Sequence, residues 1–107
     1  MIPVHVTPSF VESVLSAYPF ALLIIQDKNL VDDSELKEIS RLIVRFYDQW
    51  EMDLDLLEKE AIELRYFERK SFSDIAAELG YENHSSAKRL IDHSVKRIAD
   101  SIQKSYK

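Results

Sequence analysis

The stretch SFSDIAAELGYENHSSAKRLIDHSVKRI, residues 71–98, decides the fold. It divides at Gly80, the single glycine of the chain. Before it, Phe72, Ile75, Ala76 and Leu79 recur at three- and four-residue spacing, which predicts one apolar face of a short helix. Ser71 precedes Asp74 by three residues, the capping-box spacing with Asp in place of Glu or Gln, and Ser73 is the competing cap. Glycine ends this helix because it enters the left-handed conformation at little cost. Tyr81-Glu82-Asn83-His84 forms the turn. A longer helix then starts near Ser85, capped by Ser85 or Asn83. Its apolar side is Ala87, Leu90, Ile91, Val95, Ile98 and Ile102, together with Ser94. Its other side carries Lys88, Arg89, Asp92, Lys96, Arg97 and Lys104.

A short helix, a tight turn and a longer helix with a basic outer face meet the physical needs of a helix-turn-helix. The short helix must cross the long one, so its inner face is apolar and Ala76 is small at the crossing. The long helix must bury one side while offering polar side chains to a DNA groove. A supporting helix is expected upstream, opening at Asp53 or Asp55 and carrying Leu56, Leu57, Ala61, Ile62, Leu64 and Phe67. It ends around Arg69-Lys70, where cations suit the C-terminal dipole.

Further upstream, Asp32-Asp33-Ser34-Glu35 places acid at a helix start. The helix that follows sets Leu36, Ile39, Leu42, Ile43, Phe46, Tyr47 and Trp50 on one stripe, and Glu35, Glu38, Arg41, Arg45 and Asp48 on the other. Thr7-Pro8-Ser9 opens a first, short helix through Val11, Val14, Leu15 and Tyr18, which Pro19 interrupts or kinks. Phe20–Gln26 fits a buried strand or a buried helix. Helix is preferred, because no partner strand is evident. Met1–Pro8 reads as an extended lead-in. The fold class expected is therefore all-α: a helical bundle with a C-terminal tri-helical helix-turn-helix. Residues 1–51 form an N-terminal helical segment for dimerisation or partner binding, and residues 52–107 the DNA-binding domain.

The composition agrees. A 107-residue chain with 46% hydrophobic and 31% charged residues is globular. With no cysteine, disulfides and thiolate chemistry are excluded. The longest apolar run, Pro19–Ile25, is too short to span a bilayer, and no signal peptide is visible, so a cytoplasmic protein without membrane attachment is expected. Net charge is -5, but it is unevenly spread. Residues 84–107 hold six Lys/Arg against two Asp/Glu, a net of +4. That clustering fits a DNA-facing helix, and equally the solvated face of a terminal helix.

The stretch LLEKEAIELRYFERKSFSDIAAELGYENHSSAKRLIDHSVKRIADSI resembles region 4 of the bacterial sigma-70 family. The residues that carry the resemblance are Leu57, Glu60, Ile62 and Leu64-Arg65-Tyr66-Phe67-Glu68, then Ser71–Ala76 and Leu79-Gly80. Ala87 is smaller than the core residue usual at its position. No other sigma region is recognisable, so a full sigma factor is not expected. Leu15-Ser16-Ala17-Tyr18-Pro19 is similar to an early element of the small phage transcriptional regulators of the ArpU and RinA kind. These resemblances imply a regulator of transcription with double-stranded DNA as partner and RNA polymerase as a second one.

The first turns of the last helix would enter the major groove, offering Asn83, His84, Ser85, Ser86, Lys88 and Arg89 to bases. Lys96, Arg97, Lys70 and Ser73 would meet phosphates. Ser71 and Ser85 serve equally as helix caps, and Lys96 and Arg97 as solubilising residues. One chain would bind weakly, so a homodimer is expected. Tyr18, Phe20, Leu23, Phe46, Tyr47 and Trp50 would supply its surface if they do not simply cover one another in the core. No catalytic residue, metal site or cofactor is expected. His5, His84 and His93 lack zinc-ligand spacing, and neither Asp32-Asp33-Glu35 nor Asp53-Asp55-Glu58 has the calcium-loop pattern. The rival reading keeps the same helices but makes them a protein-interaction module, or an adaptor of the small-terminase kind in phage packaging.

Overall fold

Thr7 opens the first helix by accepting a hydrogen bond from the Phe10 amide at 3.2 Å, and Pro8 takes the first helical position, where its missing N–H costs nothing. The computed structural model describes residues 6–105, which form five α-helices. They are α1 (Pro8–Gln26), α2 (Glu35–Trp50), α3 (Leu56–Ile62), α4 (Phe72–Leu79) and α5 (His84–Ser105). A 3₁₀ turn, Glu51–Asp53, follows α2, and a π-helical segment, Glu63–Phe67, continues α3. The bundle is all-α, and its three C-terminal helices pack together. The first five residues of the expected lead-in, His5 among them, lie outside the described residues.

Pro19 does not interrupt α1, which runs 19 residues through it. Proline removes the amide that the Leu15 carbonyl would accept from, so the ladder loses one bond. Burial on both sides outweighs that loss, with Val11, Val14, Leu15 and Ala21 all in the interior. Phe20–Gln26 is thus helix. The seven-residue limit inferred from the apolar run is also superseded. Continuous α1 is long and apolar enough to cross a bilayer by length and composition, although here it packs against α2, α5 and the π segment.

The chain reverses through an Asx turn, in which the Asn29 amide donates to Asp27 Oδ1. Ser34 then caps α2, with Glu35 and Glu38 in its first turn. This helix packs mainly on α1. Asp55 and Glu58 form a full capping box at the start of α3, each side chain accepting from the other's amide. Leu56 and Leu57, expected in the core, are exposed at 83% and 42%. Glu58 faces inward instead and is 2% exposed.

One core runs through the molecule. It joins Val11 and Leu15 of α1 and Tyr47 and Trp50 of α2 to Ile62, Leu64, Ile75, Ile91, Val95 and Ile98. An aromatic cluster bridges the halves. Tyr18 stacks on Phe67 at 4.6 Å, and Tyr47 meets both edge-on at 4.9 and 5.0 Å. Such geometry aligns positive ring edges with negative faces. Tyr66 adds a polar tie, its hydroxyl donating to Glu12 at 2.8 Å. Tyr47 and Trp50, offered by the sequence as dimer surface, are buried inside the protomer, whereas Phe20 and Leu23 are exposed.

The Tyr47 hydroxyl is buried with no hydrogen-bond partner. Burying an unpaired hydroxyl costs about 1–3 kcal/mol, so removing it relieves a penalty. Tyr47→Phe is expected to hold or raise stability, by up to about 1 kcal/mol in urea unfolding. A clear loss would mean that the hydroxyl is satisfied in solution.

Burial pushes the Tyr66 phenol above its ordinary value, and the hydrogen bond to Glu12 adds to the shift. Burial, then nearby carboxylates, does the same to Tyr47. Above pH 10.0, the unfolded phenols release protons that the folded ones keep. The unfolded state then binds fewer protons, and stability falls as pH rises. Melting temperature should therefore drop from about pH 10 upward, and the drop should be smaller in Tyr66→Phe.

Candidate functional site

The exposed face built by α4, the following turn and the first half of α5 gathers most of the residues singled out in the sequence. Ser71 caps α4 by accepting from the Asp74 amide at 3.1 Å, which decides between it and Ser73. Nine residues later Gly80 takes φ +80, and the Tyr81 amide reaches back to the Ala76 carbonyl at 2.8 Å. This is the Schellman closure, which turns the chain sharply while satisfying the last carbonyls. The aromatic ring of Tyr81 packs against the core and holds the turn down.

The next helix begins one residue earlier than expected, at His84. Asn83 is its cap, the side-chain oxygen accepting from the Ser86 amide at 3.2 Å and lying 3.4 Å from the Ser86 hydroxyl. Ser85 is exposed and free of the capping role. Ala76 and Ala87 are both buried, and their small side chains let α4 and α5 approach closely. A shallow depression of about 350 Å³ lies over the crossing, with Ser73, Ala77, Tyr81, Asn83 and His84 on its walls.

The cations fall into two groups. Three are engaged internally. Lys88 pairs with Asp92 one helical turn on, at 2.6 Å. Arg97 pairs with Glu58 at 2.6 Å and donates to the Asp53 carbonyl at 2.9 Å. Lys70 pairs with Glu78 and, at 3.9 Å, with Glu68. The hydrogen bond that Lys70 donates to Glu78 raises its ammonium above its ordinary pKa. The other group, Arg89, Lys96 and Lys104, is exposed and enters no ion pair among the described residues. Arg89 and Lys96 stand seven residues apart, two helical turns, on one stripe with Ser85. His84 and Ser73 are exposed beside them.

Sequence reasoning missed two features of this region. One is the π segment before α4. It closes with Arg69 in the left-handed conformation, φ 58, and with the Lys70 amide bonded to the Leu64 carbonyl. The other is the inward Glu58, whose partners lie 36 and 39 residues away at Ser94 and Arg97. The serine on the apolar side of α5 gave no signal for it, since its hydroxyl donates to the Leu90 carbonyl of its own helix at 2.7 Å and only approaches Glu58 at 3.3 Å. Among the described residues no three His, Asp or Glu side chains converge on a point that could hold a metal ion.

Comparisons with protein-family models, curated proteins and solved structures find no match for this chain.

A methyl group added at Gly80 would meet nothing within 4 Å, so its left-handed φ alone opposes substitution. Gly80→Ala should cost about 1 kcal/mol in chemical unfolding, and Gly80→Asn less, because asparagine tolerates that conformation better. A loss above about 3 kcal/mol would mean that the turn needs glycine for close packing as well.

Proposed function

We propose that the chain is a sequence-specific DNA-binding transcriptional regulator acting in the cytoplasm. On this reading α4, the Gly80 turn and α5 form a helix-turn-helix, with α3 as the supporting helix. The observation that carries it is the eight-residue α4, closed by Gly80 and followed by only four residues before α5, whose first turns stay exposed. That geometry lets the N-terminal half of a helix enter a major groove while the short helix lies across its entrance.

Within this proposal the residues take distinct roles. Ser85 and Arg89 project from the first turns of α5 and read bases, Arg89 by the bidentate pattern that suits guanine. His84 stands at the groove edge. Lys96 and Lys104 meet backbone phosphates, and Ser73 donates to one near the start of α4. Lys88 contributes when its pair with Asp92 opens. Arg97 and Lys70 meet phosphate only when their pairs with Glu58 and Glu78 open. Asn83 and Ser86 set the entry angle of α5 through the cap.

A second reading has its own support. Asp92 sits on the exposed face of α5, and the chain is acidic overall at -5. A protein partner would tolerate a carboxylate there better than a phosphate backbone would. On that reading the same helices engage RNA polymerase, or build an adaptor of the packaging kind.

Fluorescence anisotropy with duplex DNA across a salt series separates the two. With three open cations on α5, the plot of log K against log salt should have a slope of about -3. Arg89→Ala should reduce that slope by about 1, and Lys88→Ala/Arg89→Ala should abolish measurable binding. Lys28→Ala, in the turn after α1, should change nothing. Absence of binding at low salt by the folded protein would end the DNA reading and favour the protein partner.

A further inference from the structure

Helix α2 packs on α1 and, through Tyr47, on Phe67 of the π segment, and it leaves a further apolar face uncovered. Toward α1 it buries Lys37 and Ser40 along with Tyr47 and Trp50. Away from α1 it leaves Leu36 and Ile39 at 49% and Leu42 at 45% exposed. At 3.6 residues per turn, the exposed arc Leu36–Ile39–Leu42 is centred roughly 90° from the covered arc, with Ile43 and Phe46, partly buried against the core, along its inner edge. A helix that needed only α1 would place leucines where Lys37 and Ser40 stand. Phe10 of α1, 45% exposed and 6.5 Å from Phe46, extends the apolar strip.

The molecule is also thin. Its principal extents are 47 × 39 × 19 Å and its radius of gyration is 15.3 Å. A compact domain of this length has a radius of gyration near about 13 Å. At 19 Å the slab is about two helices thick, so a helix in it has a face that a further layer could cover.

We propose that this layer is a second copy of the chain, docked through α2 antiparallel to its counterpart about a twofold axis near residues 41–42. The strip is self-complementary in that arrangement. Leu36 faces Phe46 of the second copy, Ile39 faces Ile43, and Leu42 meets its own equivalent beside the axis. Charge selects the direction. Glu38 and Arg45 lie on the outer flank of the strip, and neither forms an ion pair among the described residues. Antiparallel pairing brings Glu38 of each copy to Arg45 of the other. Parallel pairing would oppose like charges, which is costly. The helix is about 24 Å long, so the contact is small and the dimer is concentration-dependent, in the micromolar range. The assembly does not depend on the DNA reading.

Sedimentation velocity from about 1 to about 300 μM tests it, since a dissociation constant in that span gives a shifting sedimentation coefficient. Leu42→Glu should be monomeric throughout while keeping its helical circular dichroism, because the site is half-exposed. Leu23→Glu, on the far end of α1, should dimerise like the parent. Glu38→Arg and Arg45→Glu should each weaken self-association on the order of tenfold. An equimolar mixture of the two should recover it, because each mixed pair restores two opposite-charge contacts. A parent chain that stays monomeric across the range overturns the proposal. So does a dimer that survives Leu42→Glu, or a mixture that associates no better than its components.

Discussion

The Glu58 carboxylate is the point on which the arrangement of the C-terminal helices depends. One oxygen accepts from the Asp55 amide at 3.0 Å and from Arg97 at 2.6 Å, and the other lies 3.3 Å from the Ser94 hydroxyl. A carboxylate this buried is tolerable only when its charge is matched and its lone pairs are used. Arg97 matches the charge and two directional bonds engage one oxygen, and that geometry is restrictive. It closes the N-terminus of α3 and pins the middle of α5 to it in the same stroke. Arg97 extends the grip to the Asp53 carbonyl, and Ser101 to the Asp53 carboxylate at 2.9 Å. The angle between α3 and α5 then follows, and α4 occupies the space left between the π segment and α5. Apolar contact alone would permit sliding along α5, whereas a buried charge with directional partners does not.

The N-terminal hairpin is attached by a different kind of force. Tyr18, Tyr47 and Phe67 interlock as rings, and Phe46 stacks on Trp50 at 5.6 Å near Phe10. Rings supply large buried area with few rotamers to freeze. Polar ties are sparse by comparison. Tyr66 reaches Glu12, and the Val6 amide reaches the Gln103 side chain at 2.7 Å. The hairpin thus joins the core continuously, and the chain boundary expected at residues 51–52 falls inside a 3₁₀ turn whose neighbours, Trp50 and Leu54, are both buried.

The legible parts of the sequence were those governed by local chemistry. Ser71 caps α4 and Gly80 ends it, and Asp55, one of the two starts the sequence offered, opens α3, because each decision involves only the next few residues. The period of Ile91, Val95 and Ile98 is equally local. What could not be read depends on distance. Pro19 normally breaks a helix, and only the burial of Val14, Leu15 and Ala21 around it overrides that preference. Leu56 and Leu57 carry the right hydrophobicity for a core, yet Glu58 wins the inward position because Arg97 lies 39 residues ahead. Among the candidate contacts, spacing identified an exposed basic helix but not which cations were already engaged. Lys70 and Arg97 differ from Arg89 and Lys96 in the carboxylates that folding brings beside them, whereas the Lys88–Asp92 pair follows local i,i+4 spacing.

That division of cations sets the energetic terms for any DNA-directed role. Backbone binding draws its strength from counterions released by unpaired cations. Arg97 cannot serve phosphate without uncovering Glu58, and Lys88 must first give up Asp92. A single chain therefore brings few free charges to a duplex, against a net charge of -5 that opposes approach. Two ways remain to reach useful affinity. Either a second copy doubles the number of contacts, or a larger partner already on DNA supplies the rest. The apolar arc of α2 favours the first. It lies on the acidic hairpin, away from α5, so pairing through it covers exposed leucines and leaves both copies of Arg89 and Lys96 open to solvent. A protein with several of its cations held in internal bonds and an uncovered apolar arc on one helix would gain binding strength through assembly more readily than through charge.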